Sequence, residues 1–453
     1  MGDNMKMTAA ATKFVKHTLL AAPLMLAPAV SSVVMKAFNQ DATFGAVYAQ
    51  EATKKPPQKT RKTPALSQKV FKKLEAPNQL INPEQGEPDY RGALKLLNEI
   101  NTDKFNKYEK AQVYNLKGFA YYSLEDYRNA IKEYKLLLAQ SPQIPLGLEV
   151  QITYTVGQLQ FVLEDYDAAE KTIEKWMSMA PIIGADAHAL LGQIYYTNKK
   201  PKKAIKSINT AVGMYDKKGK TPKENWFQIL SALHYEVGDN KKVIGILERL
   251  VRLYPKQTYW RRLAGMYGLD NREKDQLYAY DAVYQMGGLT KEKELMNLAY
   301  LYMGEDVPYL AAKVLKKGLA DKIIEPTSKN LEVYATALRM SQEIKKSIPV
   351  MEQAASKSDS GDLFARLAGI YLDSDNNTKA VEVGEKALKR GGVKRKDQLY
   401  ITLGMATANQ KKYTSAIKFF KEAAKDKRSK KFATGWIKYC QNELERERKL
   451  AAS

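Results

Sequence analysis

The chain has 453 residues, a formal net charge of +23 and 44% hydrophobic content, so it is long enough for about three globular domains or one elongated array. A lone cysteine, Cys440, excludes an intramolecular disulfide and a Cys-based zinc site, and three histidines (His17, His188, His234) leave little for metal or acid–base chemistry; no cofactor is expected. The basic excess favours acidic partners: nucleic acid, anionic lipid, anionic glycan or acidic protein.

Residues 1–49 read as a cleaved export signal. Lys6, Lys13 and Lys16 precede the uncharged run TLLAAPLMLAPAVSSVVM (18–35), and the small-residue site Val47-Tyr48-Ala49 follows before Gln50. Pro23 and Pro28 inside the run argue against a membrane anchor. Cleavage removes Lys6, Lys13, Lys16 and Lys36 together with Asp3 and Asp41, which leaves +21. Residues 50–64 then form a basic, Pro-rich leader with Pro56, Pro57 and Pro64, read as an extended solvated linker.

From residue 65 the pattern becomes helical. SQKVFKKLEAPNQL (67–80) and DYRGALKLLNEI (89–100) supply the two helices of a partial N-terminal repeat over 65–110. The array proper runs over 111–431. Small residues recur at Gly118, Gly157, Gly192, Ser231, Ala264, Ala299, Ala335, Ala368 and Gly404, at intervals of 39, 35, 39, 33, 35, 36, 33 and 36. An aromatic follows three residues later at Tyr121, Tyr195, Tyr267, Tyr302 and Tyr371. A second small residue comes twelve residues after the first at Ala130, Ala169, Ala204, Ala311, Ala380 and Ala416, and Pro142, Pro181 and Pro255 close three units. Small residues let two helices of a hairpin cross closely, the aromatic fills the space to the next hairpin, and proline stops the second helix. One hairpin cannot bury its apolar face alone, so the units stack. Gln276 and Ser347 replace the second-helix alanines of the fifth and seventh units. Residues 432–453 read as a C-terminal capping helix in which Phe432, Trp436, Tyr439 and Cys440 pack onto the last repeat.

These residues resemble the tetratricopeptide repeat family, with WRRLAGMY (260–267) following its W-x2-L-G-x2-Y opening except that Ala264 stands at the glycine, and YNLKGFAYYSLEDYRNAIKEYKLLLAQSP (114–142) the fullest unit. The resemblance implies an all-α fold, a right-handed superhelical α-solenoid of about nine helix hairpins whose first helices line a concave groove. On that face the resemblance places Asn115, Phe119, Tyr122, Tyr154, Gln158, Phe161, Gln193, Tyr196, Gln228, Tyr235 and Arg261. This aromatic and amide-rich strip suits an extended peptide or a glycan chain. The family's clamp for C-terminal carboxylates does not transfer, because Phe119 stands where a clamp partner belongs.

No catalytic signature is present. GMYDKKGKT (213–221) has five residues before its G-K-T where a nucleotide loop has four, and it follows a helix rather than a strand. His188 and His234 occupy packing positions. The basic loop KRGGVKRK (389–396) reads as a solvated turn at a helix terminus. The chain is therefore expected to be a non-catalytic, periplasmic, protein-binding adaptor or scaffold. Its arrangement is similar to periplasmic tetratricopeptide proteins that accompany TonB–ExbB–ExbD systems, on LEDYDAAEKTIEKWMSMAP (163–181), PKENWFQILSALHYEVGDNKKVIGILERLVRLYPK (222–256) and VPYLAAKVLKKGL (307–319). That similarity implies support of TonB-dependent uptake of iron complexes or similar nutrients, with a protein or peptide of the cell envelope as partner and only transient membrane contact. Two other readings remain at this stage. One is an envelope assembly factor that binds peptidoglycan, an anionic glycan, or an outer-membrane biogenesis partner. The other is a cytoplasmic RNA-binding or scaffold array, which requires residues 1–49 not to be a signal and makes nucleic acid the less favoured partner.

Overall fold

A computed structural model describes Arg61 and residues 65–452. The export signal lies outside the described residues, as does all of the leader except Arg61. Among the described residues the chain forms 21 helices in succession and no strand, and none of the helices is long and apolar enough to cross a membrane. They divide into two units, Met1–Tyr254 and Pro255–Ser453.

Unit 1 contains five helix hairpins: α1 (Gln68–Ile81) with α2 (Tyr90–Glu99), α3 (Lys107–Ser123) with α4 (Tyr127–Leu138), α5 (Leu146–Val162) with α6 (Tyr166–Met179), α7 (Ala185–Thr197) with α8 (Pro201–Asp216), and α9 (Glu224–Glu236) with α10 (Asn240–Leu253). Unit 2 contains five more: α11 (Gln257–Leu269) with α12 (Glu273–Gln285), α13 (Glu292–Gly304) with α14 (Pro308–Ala320), α15 (Ser328–Met340) with α16 (Ile344–Ser356), α17 (Asp362–Asp373) with α18 (Asn377–Arg390), and α19 (Lys396–Asn409) with α20 (Tyr413–Ala423). It ends in a long helix, α21 (Lys427–Ala452).

The recurring small residues sit where the two helices of a hairpin cross. A Cβ on Gly118 would come within 2.5 Å of the Tyr134 ring, one on Gly157 within 2.5 Å of Ile173, and one on Gly404 within 2.7 Å of Phe420. The second small residues Ala130, Ala169, Ala204, Ala311, Ala380 and Ala416 are fully buried. The two irregular units accommodate their larger residues differently. Gln276 reaches over Gly268, where a Cβ would meet it at 2.5 Å, so the small residue has moved to the first helix. Ser347 is fully buried, and its hydroxyl donates to the Ile344 carbonyl at 2.7 Å, so no polar group is left over.

Nine hairpins, α3/α4 to α19/α20, share one turn. Seven residues after each small reference residue the backbone enters the left-handed region: Glu125, Glu164, Lys199, Gly238, Asn271, Asp306, Gln342, Asp375 and Lys411, at φ between 54° and 75°. The next residue's amide returns to the carbonyl five positions earlier, as in Asp126 to Tyr121 at 2.9 Å and Lys200 to Tyr195 at 2.8 Å. This closes the first helix with a Schellman-type hydrogen bond. The second helix then starts at once, and in several hairpins a capping side chain accepts the amide three residues on: Asp126 from Asn129, Asp165 from Ala168, Asp239 from Lys242 and Asn376 from Lys379.

Polar contacts join successive hairpins. Glu170, 7% exposed, accepts from Asn198 Nδ2 at 2.7 Å and from Lys200 Nζ at 2.6 and 2.8 Å. Arg61, the described residue of the leader, pairs with the buried Glu149, which also accepts from Ser141 Oγ at 3.0 Å; this point of the leader is docked rather than solvated. The basic loop near residue 390 is also engaged. Gly391 caps α18 at φ 78°, Arg390 donates to the Ser358 carbonyl at 2.6 Å, and Arg395 grips Asp397 at 2.8 and 2.9 Å.

The C-terminal helix departs from its expected packing. Ser429, Ala433 and Cys440 form its inner seam, with Ile437 and Leu444 half-buried beside them, and burial pushes the Cys440 thiol up. Trp436 stacks on Phe420, but Phe432 and Tyr439 are 49% and 48% exposed. The helical period explains the correction. Residues 429, 433, 437, 440 and 444 share one stripe, and 432 and 439 fall outside it.

Candidate functional site

The strip expected from the sequence lies on first helices of unit 1, with the exception of Arg261 on α11 in unit 2. Each amide shares a helix face with the aromatic three or seven residues later: Gln158 with Phe161, Gln193 with Tyr196, Asn115 with Tyr122, and Gln228 with Tyr235. All eight side chains reach the surface in part, and Tyr235 is 39% exposed. Asn115, Gln158 and Gln193 have no side-chain hydrogen bond among the described residues.

The best-defined part of the strip is the face shared by α7 and α9, which touch each other. Lys223, the N-cap of α9, pairs with Asp186 in the first turn of α7 at 2.6 Å. At the other ends, the Tyr196 hydroxyl donates to Glu236 Oε1 at 3.1 Å. Two first helices strapped at both ends hold Gln193 and Gln228 at fixed positions between the straps. Burial and then the Glu236 carboxylate push the Tyr196 hydroxyl up to about 12, so it remains a neutral donor throughout the physiological range.

Three residues leave the strip. Phe119 is 8% exposed, in the core cluster with Leu74, Leu97 and Val113, and meets the edge of Tyr90 at 6.2 Å, because the α1/α2 hairpin covers it. Tyr154 packs tilted against Trp176 of its own hairpin, with ring centroids 4.5 Å apart. Arg261 pairs with Glu294 and donates to the Gly288 carbonyl at 2.7 Å, which ties α11 to the start of α13.

Sequence reasoning missed two rings. Tyr127 lies 6.0 Å from Tyr122, and Tyr166 lies 5.6 Å from Phe161. Each stands five residues after its partner, at the first position of the second helix, so the turn brings the two rings together. The signal was present in the repeated LEDY of residues 124–127 and 163–166. Glu236 was missed as well.

The arrangement offers unpaired amides beside fixed aromatic rings, which is suited to hydrogen bonding a peptide main chain and seating apolar side chains. His188 is half-buried, and burial pushes its imidazole below the usual value, so it is neutral at pH 7. Among the described residues no group of three or more His, Cys, Asp or Glu side chains is placed to hold a metal ion.

Two segments, residues 111–144 and 185–218, match the family model of the tetratricopeptide repeat. The first covers most of α3 and all of α4 and the second covers α7/α8, so these two hairpins are of tetratricopeptide type. No protein of curated function matches the chain. Among solved structures, MamA from Desulfovibrio magneticus is 20% identical, with 42% of this chain and 97% of that one covered at a TM-score of 0.34. YrrB, described as a tetratricopeptide protein with an unusual peptide-binding site, is 15% identical, with 43% and 91% covered and a TM-score of 0.33. The C-terminal part of a repeat protein from Cytophaga hutchinsonii is 16% identical, with 56% and 93% covered and a TM-score of 0.37.

Proposed function

We propose that this chain is a non-catalytic scaffold of the cell envelope that binds an extended segment of a partner protein along the first helices of unit 1. The observation that carries peptide binding is the set of amides without a side-chain hydrogen bond among the described residues, Asn115, Gln158 and Gln193, on the same helix faces as Tyr122, Phe161 and Tyr196. A peptide main chain needs donors and acceptors at regular intervals, and side-chain amides supply both. Periplasmic location rests on the basic start, apolar run and small-residue site of residues 1–49. The partner class proposed is a component of a TonB–ExbB–ExbD system, with the scaffold supporting nutrient uptake. This rests on the similarity of residues 163–181, 222–256 and 307–319.

The test is photo-crosslinking in the intact envelope from positions 161 and 196, with adducts identified by mass spectrometry. The proposal expects a TonB-system protein or its receptor, with the adduct lost in Gln193→Ala/Tyr235→Ala. Adducts made only of peptidoglycan fragments would replace this reading with envelope assembly. No adduct from either position would reduce the strip to packing between hairpins.

A further inference from the structure

The end of unit 2 carries a second surface, independent of the unit 1 strip. The outer side of α21 exposes Phe432 and Tyr439, with Trp436 beside them, at ring separations of 6.3 Å for Phe432–Trp436 and 5.4 Å for Trp436–Tyr439. Trp436 is held in place by stacking on the fully buried Phe420 at 5.5 Å and 22°. Gly435 lies in the middle of this face, and a Cβ there would meet nothing within 4 Å. Glycine is among the poorest residues for an exposed helix, so its position opens a notch down to the backbone at a cost to the helix. The notch is bounded by Arg428, Lys431, Phe432, Trp436 and Tyr439.

The charge around it is mainly positive, and the carboxylates that flank the segment, Asp426 and Glu443, are each paired with an arginine, Arg428 and Arg446. Lys427, Arg428, Lys430, Lys431 and Lys438 all fall between residues 427 and 442, which contain no acidic residue. Arg428 is engaged by Asp426 at 2.7 Å. Lys427, Lys430, Lys431 and Lys438 form no ion pair among the described residues and are exposed. A second copy of this face would meet it cation against cation. The chain's own leader is also excluded by sign, because it carries Lys54, Lys55, Lys59, Arg61 and Lys62 against Glu51.

We propose that this face docks an acidic segment of a partner protein, with one apolar side chain seated over Gly435 between Phe432 and Tyr439 and flanking carboxylates paired with the free lysines. An open, shallow recess beside aromatic side chains suits an apolar anchor residue, and the cationic surround gives a rim that steers an acidic chain onto it.

The test uses the full chain and a fluorescein-labelled peptide of Asp and Glu residues around one central Phe, read by anisotropy. Controls are the same peptide with Asn and Gln in place of the acids, the same peptide with Ala in place of Phe, and vesicles of phosphatidylglycerol. Gly435→Gln fills the notch without changing charge, and Phe432→Ser/Tyr439→Ser removes its walls. Both alter exposed positions, so circular dichroism should match the parent, with the melting midpoint of Gly435→Gln equal or higher because glycine is the poorer helix former. The expected result is that the acidic Phe peptide binds, and that each variant weakens it by about tenfold or more. Both control peptides should fail, and Gln193→Ala/Tyr235→Ala in unit 1 should change nothing. The proposal is overturned by absence of binding, by unchanged affinity in Gly435→Gln, or by equal binding of the Ala peptide. Vesicle binding that Gly435→Gln abolishes would also overturn it, because the face would then belong to a lipid surface.

Discussion

The Tyr195 hydroxyl donates to Glu174 Oε1 at 2.6 Å, joining the first helix of one hairpin to the second helix of the hairpin before it. The contact recurs in unit 2, where Tyr302 reaches Asp281 and Tyr371 reaches Glu352, both at 2.5 Å. Each tyrosine is the aromatic three residues after a repeat's small residue, and its carboxylate lies 19 to 21 residues upstream. The ring fills the gap between hairpins, and the hydroxyl fixes their register.

Removing that hydroxyl tests the joint. Tyr195→Phe keeps the ring and deletes one hydrogen bond to a charged acceptor, so it should destabilise unit 1 by about 2 kcal/mol. Tyr302→Phe should do the same in unit 2. Urea unfolding is the measurement. A loss shared by Tyr195→Phe and a Tyr195→Phe/Glu174→Gln double variant, with no further cost in the second, would assign the effect to the pair.

The left-handed turn residue supplies a second test. An L-residue pays about 1–2 kcal/mol to sit there, and glycine avoids this but loses part of the gain to its freer unfolded chain. Lys199→Gly and Lys411→Gly should therefore each stabilise by about 0.5–1 kcal/mol. Gly238→Val should destabilise by more than that. Melting midpoints of the three variants decide the matter, and stabilisation by Gly238→Val would refute the turn assignment.

Alkaline pH should loosen the array through tyrosines whose hydroxyls donate to carboxylates. Burial, then the acidic neighbour, pushes the hydroxyls of Tyr196 and Tyr371 up to about 12. The unfolded chain ionises near about 10. Folding therefore holds these protons longer, so their contribution is complete below about pH 10 and is lost as pH rises through about 12. Unfolding free energy measured between these limits should fall in the parent and fall less in Tyr371→Phe.

At acid pH the weak point is the root of α21. Asp397 is 5% exposed and is gripped by Arg395, with Ser429 Oγ donating to it at 2.7 Å across from α21. The Arg395 fork first, and Ser429 with it, hold its carboxyl well below the usual carboxylate range. Its stabilisation is complete above about pH 4, the unfolded value, and is lost as pH falls through the depressed folded value. Asp397→Asn should cost about 2 kcal/mol and speed amide exchange in α21 at neutral pH while α17 and α18 remain protected.

The partial exposure of the proposed strip was legible in the sequence only in places. Tyr122, Phe161, Tyr196 and Tyr235, which follow a recurring position by one residue, do reach the surface in part. Phe119 shares that helical face yet is covered by α1/α2, and Arg261 reads as an exposed cation yet is committed to Glu294 and Gly288. Spacing reports which side of a helix a residue occupies; it does not report what another hairpin brings to that side.

The sequence by itself determined the hairpin, because small residues at a crossing, an aromatic three positions on and a second small residue at twelve are requirements local to one pair of helices. It did not mark the shared turn, since a left-handed backbone can be forced on Glu, Lys, Asn, Asp or Gln by the helices on either side, and glycine appears there once among nine. Only the tertiary structure decided which carboxylate each tyrosine reaches, which aromatics are spent on packing, and that Phe432 and Tyr439 face outward. Those outcomes depend on contacts between hairpins some twenty or more residues apart, where the stacking geometry, and not the local period, sets which atoms meet.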